Sequence, residues 1–594
     1  MLNIVAIDTE TYYDGDCSVK TLGPHAYTRH HKWDCYLVSV FGDGISYVGP
    51  PGDFDWDLLR GRKVCAHNAA FDKAQVDALR NKGLNIPNLD WMCTADLSAF
   101  LGVKRSLDAT VKQLFGHKIS KEVRKNMLGK KIEDLRDWDE SKLATNKAER
   151  KKKSDYEALI QYALDDAQWC YRIADEHVSK WPRKEMDLSQ HTREMGAKGV
   201  AIDQRMLDKF ICRLEDIKAR AEKDIPWTEP YLSLGKIQAF CETAGVEPPA
   251  TIAKLSPVFE MWANANSHAI GWVAPLNKWR VANMHLERMF NIKRRLTSDG
   301  ILQFGLKYFG AHTGRWSGDQ GVNFQNFPRN AWEGCDFRSL IVPRPGHKFI
   351  IADFAQIEAR TLLWNVNDEV QLQKIREGVS VYEAHARATM GWNNGILKEE
   401  DPELYKLAKA RVLGLGYQCG KARFKDVAKM MAGIDISSEE SVATVNQFRA
   451  ANPKIKSKWY SLQYQLERNF PDGWFGIPLP SGRALMYHHL TRDGKQIKGE
   501  MVRGEGQRKL YGGLITENYI QAVARDVLAD KILHLEREGY RVAYHIHDEV
   551  VVEVPEAQAK KAEQEIGAIL REENGWYTGL PLGIDIQTAD CYLK

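Results

Sequence analysis

No stretch of this 594-residue chain approaches the roughly 18 consecutive apolar residues that a membrane-spanning helix requires. Its opening, MLNIVAID, runs directly into a strand without a charged-then-apolar leader, so neither a membrane span nor a secretory signal is expected. The ten cysteines include no C-x-x-C pair, which argues against a zinc frame or a disulfide scaffold and for reduced thiols in a cytoplasmic compartment. Internal repeats and low-complexity tracts are also missing. Charge of one sign is scarce overall: 83 Lys and Arg stand against 79 Asp and Glu, a net of +4. Any polyanion must therefore be held by segregated basic residues. Two segments qualify, 104–153 with sixteen basic against eight acidic residues and 483–511 with seven against three. The run Arg150–Lys153 reads equally well as a solvated loop, since no aromatic residue is interleaved with it. Hydrophobic content of 44% and charged content of 27% are globular values, and the length exceeds one core, implying three or four subdomains.

What the chain does have is carboxylates at the ends of apolar runs. In FIIADFAQIEAR (349–360), Phe349 to Ala352 read as a buried strand delivering Asp353 to its end, with Gln356 to Arg360 opening a helix. In HIHDEVVVEV (545–554), two apolar stretches flank His547, Asp548 and Glu549, the pattern of two short strands joined by a tight acidic turn. Packing alone would reject bare carboxylates there. Asp353 and Asp548 are thus expected to share two Mg²⁺ ions, with Mn²⁺ as the alternative, in phosphoryl transfer.

These segments resemble motifs A and C of family A DNA polymerases, the group of bacterial DNA polymerase I and many phage replicases. TGRWSGDQGVNFQNFPR (313–329) is similar to the family's template and primer contact segment, and YGGLITENYIQAVARD (511–526) to the helix beside motif C. DPELYKLAKARVLGLGYQCG (401–420) is similar to the fingers helix. Its Asp401 is a good N-cap, Pro402 suits the first helical position, Gly420 can end it, and Lys409, Leu413 and Tyr417 fall on one face. Gly416, Gly420 and Lys421 do not make a phosphate-binding loop, because the glycines are too close and Ala422 follows the lysine. The resemblance implies that Lys409 holds the triphosphate, Leu413 lies against base and sugar, and Tyr417 packs behind the templating base. It also implies that Glu358 excludes a 2′-hydroxyl, supported by Gln356 and Arg360, and that His547 reaches the primer terminus. Arg315, Gln325, Asn326 and Gln521 are the implied DNA contacts. The chain departs from the bacterial pattern at Tyr405, where arginine is usual, with Lys406 beside it. It departs again at Leu413 (Phe or Tyr usual), Ala355 (Ser), Gly513 (Arg) and Glu517 (Asn).

An independent acidic set occupies the front. NIVAIDTETYY (3–13) is a strand carrying Asp8 and Glu10 on one face, and CAHNAAFDK (65–73) adds Asp72, with Asn68 a turn earlier. A helix is expected from a Ser154/Glu157 capping box onward, placing Tyr162 and Asp166 at i and i+4. This set resembles the DEDD-type 3′–5′ exonuclease in its tyrosine-bearing form. The resemblance implies two further Mg²⁺ ions on Asp8, Glu10, Asp72 and Asp166, an attacking water oriented by Tyr162, and a DNA contact at Asn68.

The expected architecture is an α/β multi-domain chain. A ribonuclease H-like exonuclease domain (1–185) precedes a thumb and connecting region (186–298), then the palm and fingers of a right-hand polymerase (299–594, fingers about 366–450). Helices are expected over 206–221 and 281–295. The implied activity is template-dependent DNA synthesis with proofreading on primer-template DNA and dNTPs, with replication accessory proteins as further candidate partners. Because Asp8 stands so near the start, no 5′-nuclease domain is expected, and the compact layout suggests a phage or phage-derived replicase in a bacterial cytoplasm. A single-subunit RNA polymerase, a silent DNA-binding scaffold and a nuclease with a decayed polymerase half are the rivals.

Overall fold

The computed structural model describes residues 3–253, 256–319, 321–322, 324 and 327–593. The expected contacts Gln325 and Asn326 therefore lie outside the described residues. The fold is mixed α/β, and among the described residues no helix is long and apolar enough to cross a membrane.

The front of the chain builds a five-stranded sheet from β1 (Ile4–Thr11), β2 (Cys35–Gly42), β3 (Ile45–Gly49), β4 (Lys63–Ala66) and β5 (Asp90–Cys93), in the order β3-β2-β1-β4-β5. Strand β1 pairs antiparallel with β2 and parallel with β4. Its apolar residues Val5, Ala6 and Ile7 are fully buried, which places the strand centrally and leaves Asp8 and Glu10 at its open end. Helices α1 (Ala69–Asn81) and α2 (Lys147–His177) pack on this sheet.

Helix α2 corrects the expected start. It is capped at Asn146, whose side chain accepts from the Ala148 N–H, so Ser154 and Glu157 lie inside it. Ala, Glu, Lys and Arg are all strong helix formers, and nothing between 147 and 153 breaks the run. The basic run Arg150–Lys153 is therefore helical rather than a loop.

Helix α3 (Arg183–Lys198) follows almost at once, and the helices expected over 206–221 and 281–295 extend to Gln204–Lys223 and Val273–Arg295. Beyond them, β6 (His347–Phe354) leads into α4 (Ile357–Asn365). Then come α5 (Pro402–Ala410), α6 (Lys421–Ala432), α7 (Pro453–Asn469) and α8 (Gly512–Arg537). Between α7 and α8, residues 474–510 form a separate four-stranded antiparallel sheet. Strands β7 (Val542–Ile546), β8 (Glu549–Pro555) and β9 (Ile584–Ala589) join β6 in a second four-stranded sheet of order β7-β8-β6-β9.

One apolar core runs from Ile4 and Ala6 through Leu188 and Met195 to Phe349, Ile350 and Val550–Val552, so the N-terminal sheet and the β6–β9 sheet share a continuous interior. A second core, from Ala359 to Val523, unites α4, α6, α7 and the start of α8.

Candidate active sites

The open end of β1 lines a cavity of about 480 Å³ together with Asn68, Asp72, Tyr162 and Asp166. Three elements thus deliver the four expected carboxylates to one place. Oxygens of Asp8, Glu10 and Asp166 lie within 4.8 Å of one another. Asp72 is fixed by the Thr9 backbone N–H at 3.1 Å and the Thr9 hydroxyl at 2.8 Å, both donating to Oδ1. Burial and mutual repulsion raise Asp8 well above the carboxylate range and push Glu10 to about 8. Burial raises Asp72 to about 7 and Asp166 to about 6. Tyr162 hydrogen-bonds to Asp166, while Asp166 Oδ1 is buried without a hydrogen-bond partner. An all-oxygen, mutually repelling set with an orphaned buried acceptor fits a hard divalent cation.

Arg124, which carries no motif spacing, lines this cavity with Arg105, Lys121 and Lys307, and its charge opposes the elevation at Asp8, Glu10 and Asp166. Only its membership in the basic segment 104–153 hinted at it.

The second constellation lies where β6 and the β7–β8 turn meet. Strand β6 pairs antiparallel with β8, and Asp353 stands directly opposite Glu549. The Phe354 N–H donates to the Asp548 carbonyl at 3.0 Å. Positions 353 and 548, far apart in sequence, are therefore joined by neighbouring backbone. The turn is tight because His547 takes φ 52 and is exposed at its tip. Glu549 is buried and accepts from the Tyr592 hydroxyl at 2.7 Å. Gln356 also adopts positive φ, at 55, so the chain reverses sharply from strand to helix after Asp353. Arg360 braces this reversal, donating to the Ala355 carbonyl at 2.8 Å and the Pro581 carbonyl at 3.1 Å, and the Gln356 side chain accepts from the Val381 N–H at 3.0 Å. Glu358 pairs with Arg315.

Helix α5 bears Lys409, but the single helix expected over 401–420 is not what forms. Asp401 does cap it, accepting from Leu404 N–H, yet the α-helix stops at Ala410 and a π-helical turn occupies Arg411–Leu415. The extra residue in such a turn shifts Leu413 and Tyr417 relative to Lys409, so regular 3.6-residue spacing does not relate them. Leu413 packs in a small apolar cluster with Tyr382, Trp392, Leu404 and Tyr405, whereas Tyr417 is within electrostatic reach of Glu358, Glu517 and Arg315. Lys406 pairs with Glu403 at 2.7 Å on the exposed side. Arg411 is 3% exposed, its Nε and Nη2 lack hydrogen-bond partners, and burial lowers it to about 10.

Gln521 lies half-buried on α8, on the same face as Gly513 and Glu517. Burial and the nearby Glu358 charge raise Glu517. Under that helix runs a network that no pattern announced. Both terminal guanidinium nitrogens of Arg525 clamp Glu185 of α3 at 2.7 and 3.0 Å, and the Tyr308 hydroxyl donates to the same carboxylate at 2.6 Å. Arg525 also donates to the Gly314 carbonyl at 2.9 Å, and Arg483 bridges Asp526 (2.8 Å) to the Thr313 carbonyl (3.1 Å). Together they fix the backbone on which Arg315 stands.

The family model described as DNA polymerase family A matches residues 276–594. A DNA polymerase of Bacillus phage SP02 is 26% identical over 677 aligned positions, covering 100% of each chain. DNA polymerase I of Aquifex aeolicus is 25% identical over 287 residues, 47% of this chain and 43% of that protein. The thermostable DNA polymerase I of Thermus thermophilus is 23% identical over 290 residues, covering 48% and 31%. The chain thus matches less than half the length of these bacterial relatives. In three dimensions it is similar to the POL domain of Pol1 from M. smegmatis, solved in complex with DNA primer-template and dNTP. The TM-score is 0.68 over 99% of this chain and 95% of that one, at 17% identity, a likeness of fold.

Proposed function

Because the chain belongs to DNA polymerase family A, we propose that it extends a primer on a DNA template with dNTPs at Asp353 and Asp548, and edits the 3′ end at its N-terminal carboxylate cluster. The observation that supports this reading most is the joining of β6 to the β7–β8 turn, which sets the backbone of residues 353 and 548 side by side inside the matched region. We read 1–185 as a ribonuclease H-like exonuclease domain, 186–298 as thumb and connection, and 299–594 as palm and fingers. The full-length likeness to a phage DNA polymerase supports a phage-type replicase.

We read Asp353 and Asp548 as the residues that would hold Mg²⁺ in one site and Asp8, Glu10, Asp72 and Asp166 in the other, where the close approach of the Asp8, Glu10 and Asp166 oxygens supports a hard cation. Divalent ions there supply activation of the attacking oxygen and charge stabilisation of the leaving one. The chain's own residues do the positioning. Lys409 meets triphosphate charge, and Glu358, held by Arg315, walls off the sugar's 2′ position. Tyr417 and Leu413 bound the nascent base pair, while His547, Gln521 and Arg315 approach the primer end and the minor groove. Gln325 and Asn326 complete the proposed DNA contacts. At the front, Tyr162 orients water beside Asp166, and Asn68 meets the departing strand. A second hydrolytic site adds an independent selection step to insertion.

Primer extension and primer degradation with Mg²⁺, on the parent and on Asp353→Ala and Asp8→Ala, test this. Asp353→Ala is expected to abolish extension and spare degradation, and Asp8→Ala to do the reverse. Loss of both activities in either folded variant would mean the two sites are wrongly assigned.

A further inference from the structure

Helix α7 buries Ile455, Trp459, Leu462 and Leu466 in the second core, a normal amphipathic seam. Its outer face is not normal. Tyr460 and Tyr464 stand 56% and 65% exposed, although nothing in the fold requires two aromatic rings in water. They lie at i and i+4, so their rings share one ridge about 6 Å apart along the axis, and exposed Lys456 and Arg468 extend that ridge by one turn at each end to about 18 Å. The carboxylate nearest this ridge in sequence, Glu467, is engaged by the Gln463 side-chain amide at 2.7 Å.

The ridge begins beside the candidate polymerase site. Trp459 Nε1 donates to the Gly416 carbonyl at 2.8 Å, and Gln463 Oε1 accepts from the Gly512 N–H at 3.0 Å. The Gly513 N–H in turn donates to Gln418 Oε1 at 2.9 Å. Each exposed tyrosine is thus one residue beyond an anchor to the segments that flank Tyr417. Tyr511, 37% exposed, adjoins the same contact and feels the charges of both Glu517 and Arg423.

We propose that the ridge Lys456–Tyr460–Tyr464–Arg468 is a binding track for the single-stranded template ahead of the polymerase site. The proposal rests on the polymerase reading above. Two π-faces flanked by cations suit unpaired bases and their phosphates: every base offers a face for stacking, whatever the sequence, and the cations release counterions from the backbone. Duplex DNA presents phosphates but no free base faces, so it leaves the tyrosines unused. The unpaired strand leading into the site is the part of a primer-template that has both.

The test is equilibrium binding of the full chain to two fluorescent primer-templates, one with an overhang of a single nucleotide and one with about ten. The parent is expected to bind the longer overhang more tightly. Tyr460→Ala/Tyr464→Ala should lower that affinity about tenfold or more while leaving single-nucleotide-overhang binding, and extension on it, unchanged. Lys456→Gln/Arg468→Gln should reduce the salt slope for the longer overhang by about 1.4, two phosphate contacts on a single strand. Parent-like binding of the longer overhang by both variants overturns the track, as does an equal loss on both templates, which would make the ridge a duplex contact. A parent that extends neither template, yet gains affinity from the overhang that the variants lose, refutes the polymerase reading and leaves the track standing.

Discussion

Leu413 occupies the position where the family resemblance leads one to expect an aromatic ring, and its half-buried side chain packs against the small apolar cluster that contains Tyr382 and Trp392. A leucine packs against sugar and base but has no ring face or hydroxyl. The prediction is that Leu413→Tyr changes the ratio of dideoxy to deoxy incorporation by about tenfold, equivalent to about 1.4 kcal/mol of differential transition-state binding. Competitive incorporation assays measure it, and an unchanged ratio would show that position 413 does not read the sugar. Residues of this kind were legible in the sequence because their chemistry is local. A carboxylate at the end of FIIA or inside HIHDEV has no packing role, so the strand pattern itself points at Asp353 and Asp548. Arg124, Glu185 and Arg525 were not legible, because their meaning lies in contacts with residues far along the chain.

At the scale of elements, the strands that carry Asp8 and Asp353 or flank Asp548 and the helices over 204–223 and 273–295 followed from the sequence pattern, whereas the four-stranded sheet over 474–510 and the stretch after Lys409 did not. Asp401 and Pro402 announce the start of α5, but nothing in ARVLGLGYQ marks a π-helical turn. That turn is set by packing: a Cβ on Gly414 would lie 2.7 Å from Val427, and one on Gly416 2.8 Å from the Val412 carbonyl. Where the turn ends, the backbone of Tyr417 and Gln418 presses on the first turn of α8. A Cβ on Gly513 would stand 2.5 Å from both the Tyr417 carbonyl and the Gln418 Cβ. This close approach explains why a position where arginine is common in the family holds glycine. Helix propensity alone says that Gly513→Ala should stabilise α8 by up to about 1 kcal/mol. The clash should win, destabilising the protein by about 1–3 kcal/mol and slowing extension as Tyr417 is displaced. Denaturant unfolding together with single-turnover extension decides the sign, and a more stable, fully active Gly513→Ala would show that the two segments are not so tightly apposed.

At the scale of the whole molecule, the N-terminal and C-terminal regions are held as one body by a continuous core and by a buried ionic knot, Glu185 against Arg525 with Tyr308 and the neighbouring Arg483–Asp526 pair. The knot ties α3, where the N-terminal region ends, to α8 and to the loop bearing Arg315, so it couples the placement of both candidate sites. Burial alone would raise Glu185, but the Arg525 charge and hydrogen bonds, with Arg483 and Tyr308, win and hold it at about 2 against an ordinary 4.5. Because the folded value is the depressed one, its contribution of roughly 3 kcal/mol is complete above pH about 4.5 and is lost as pH falls from there toward 2. Glu185→Gln removes the charge but keeps the shape, leaving Arg525 with Asp526 as its remaining carboxylate partner. At pH 7 the variant should be less stable by about 3–5 kcal/mol, as expected for a broken buried pair. Between pH 4.5 and 2 its deficit should shrink, since the parent is losing the same interaction by protonation. Thermal unfolding of parent and variant across that range measures both. A deficit that stays constant as pH falls would mean that Glu185 supplies shape rather than charge, and that the two halves are joined by their apolar core alone.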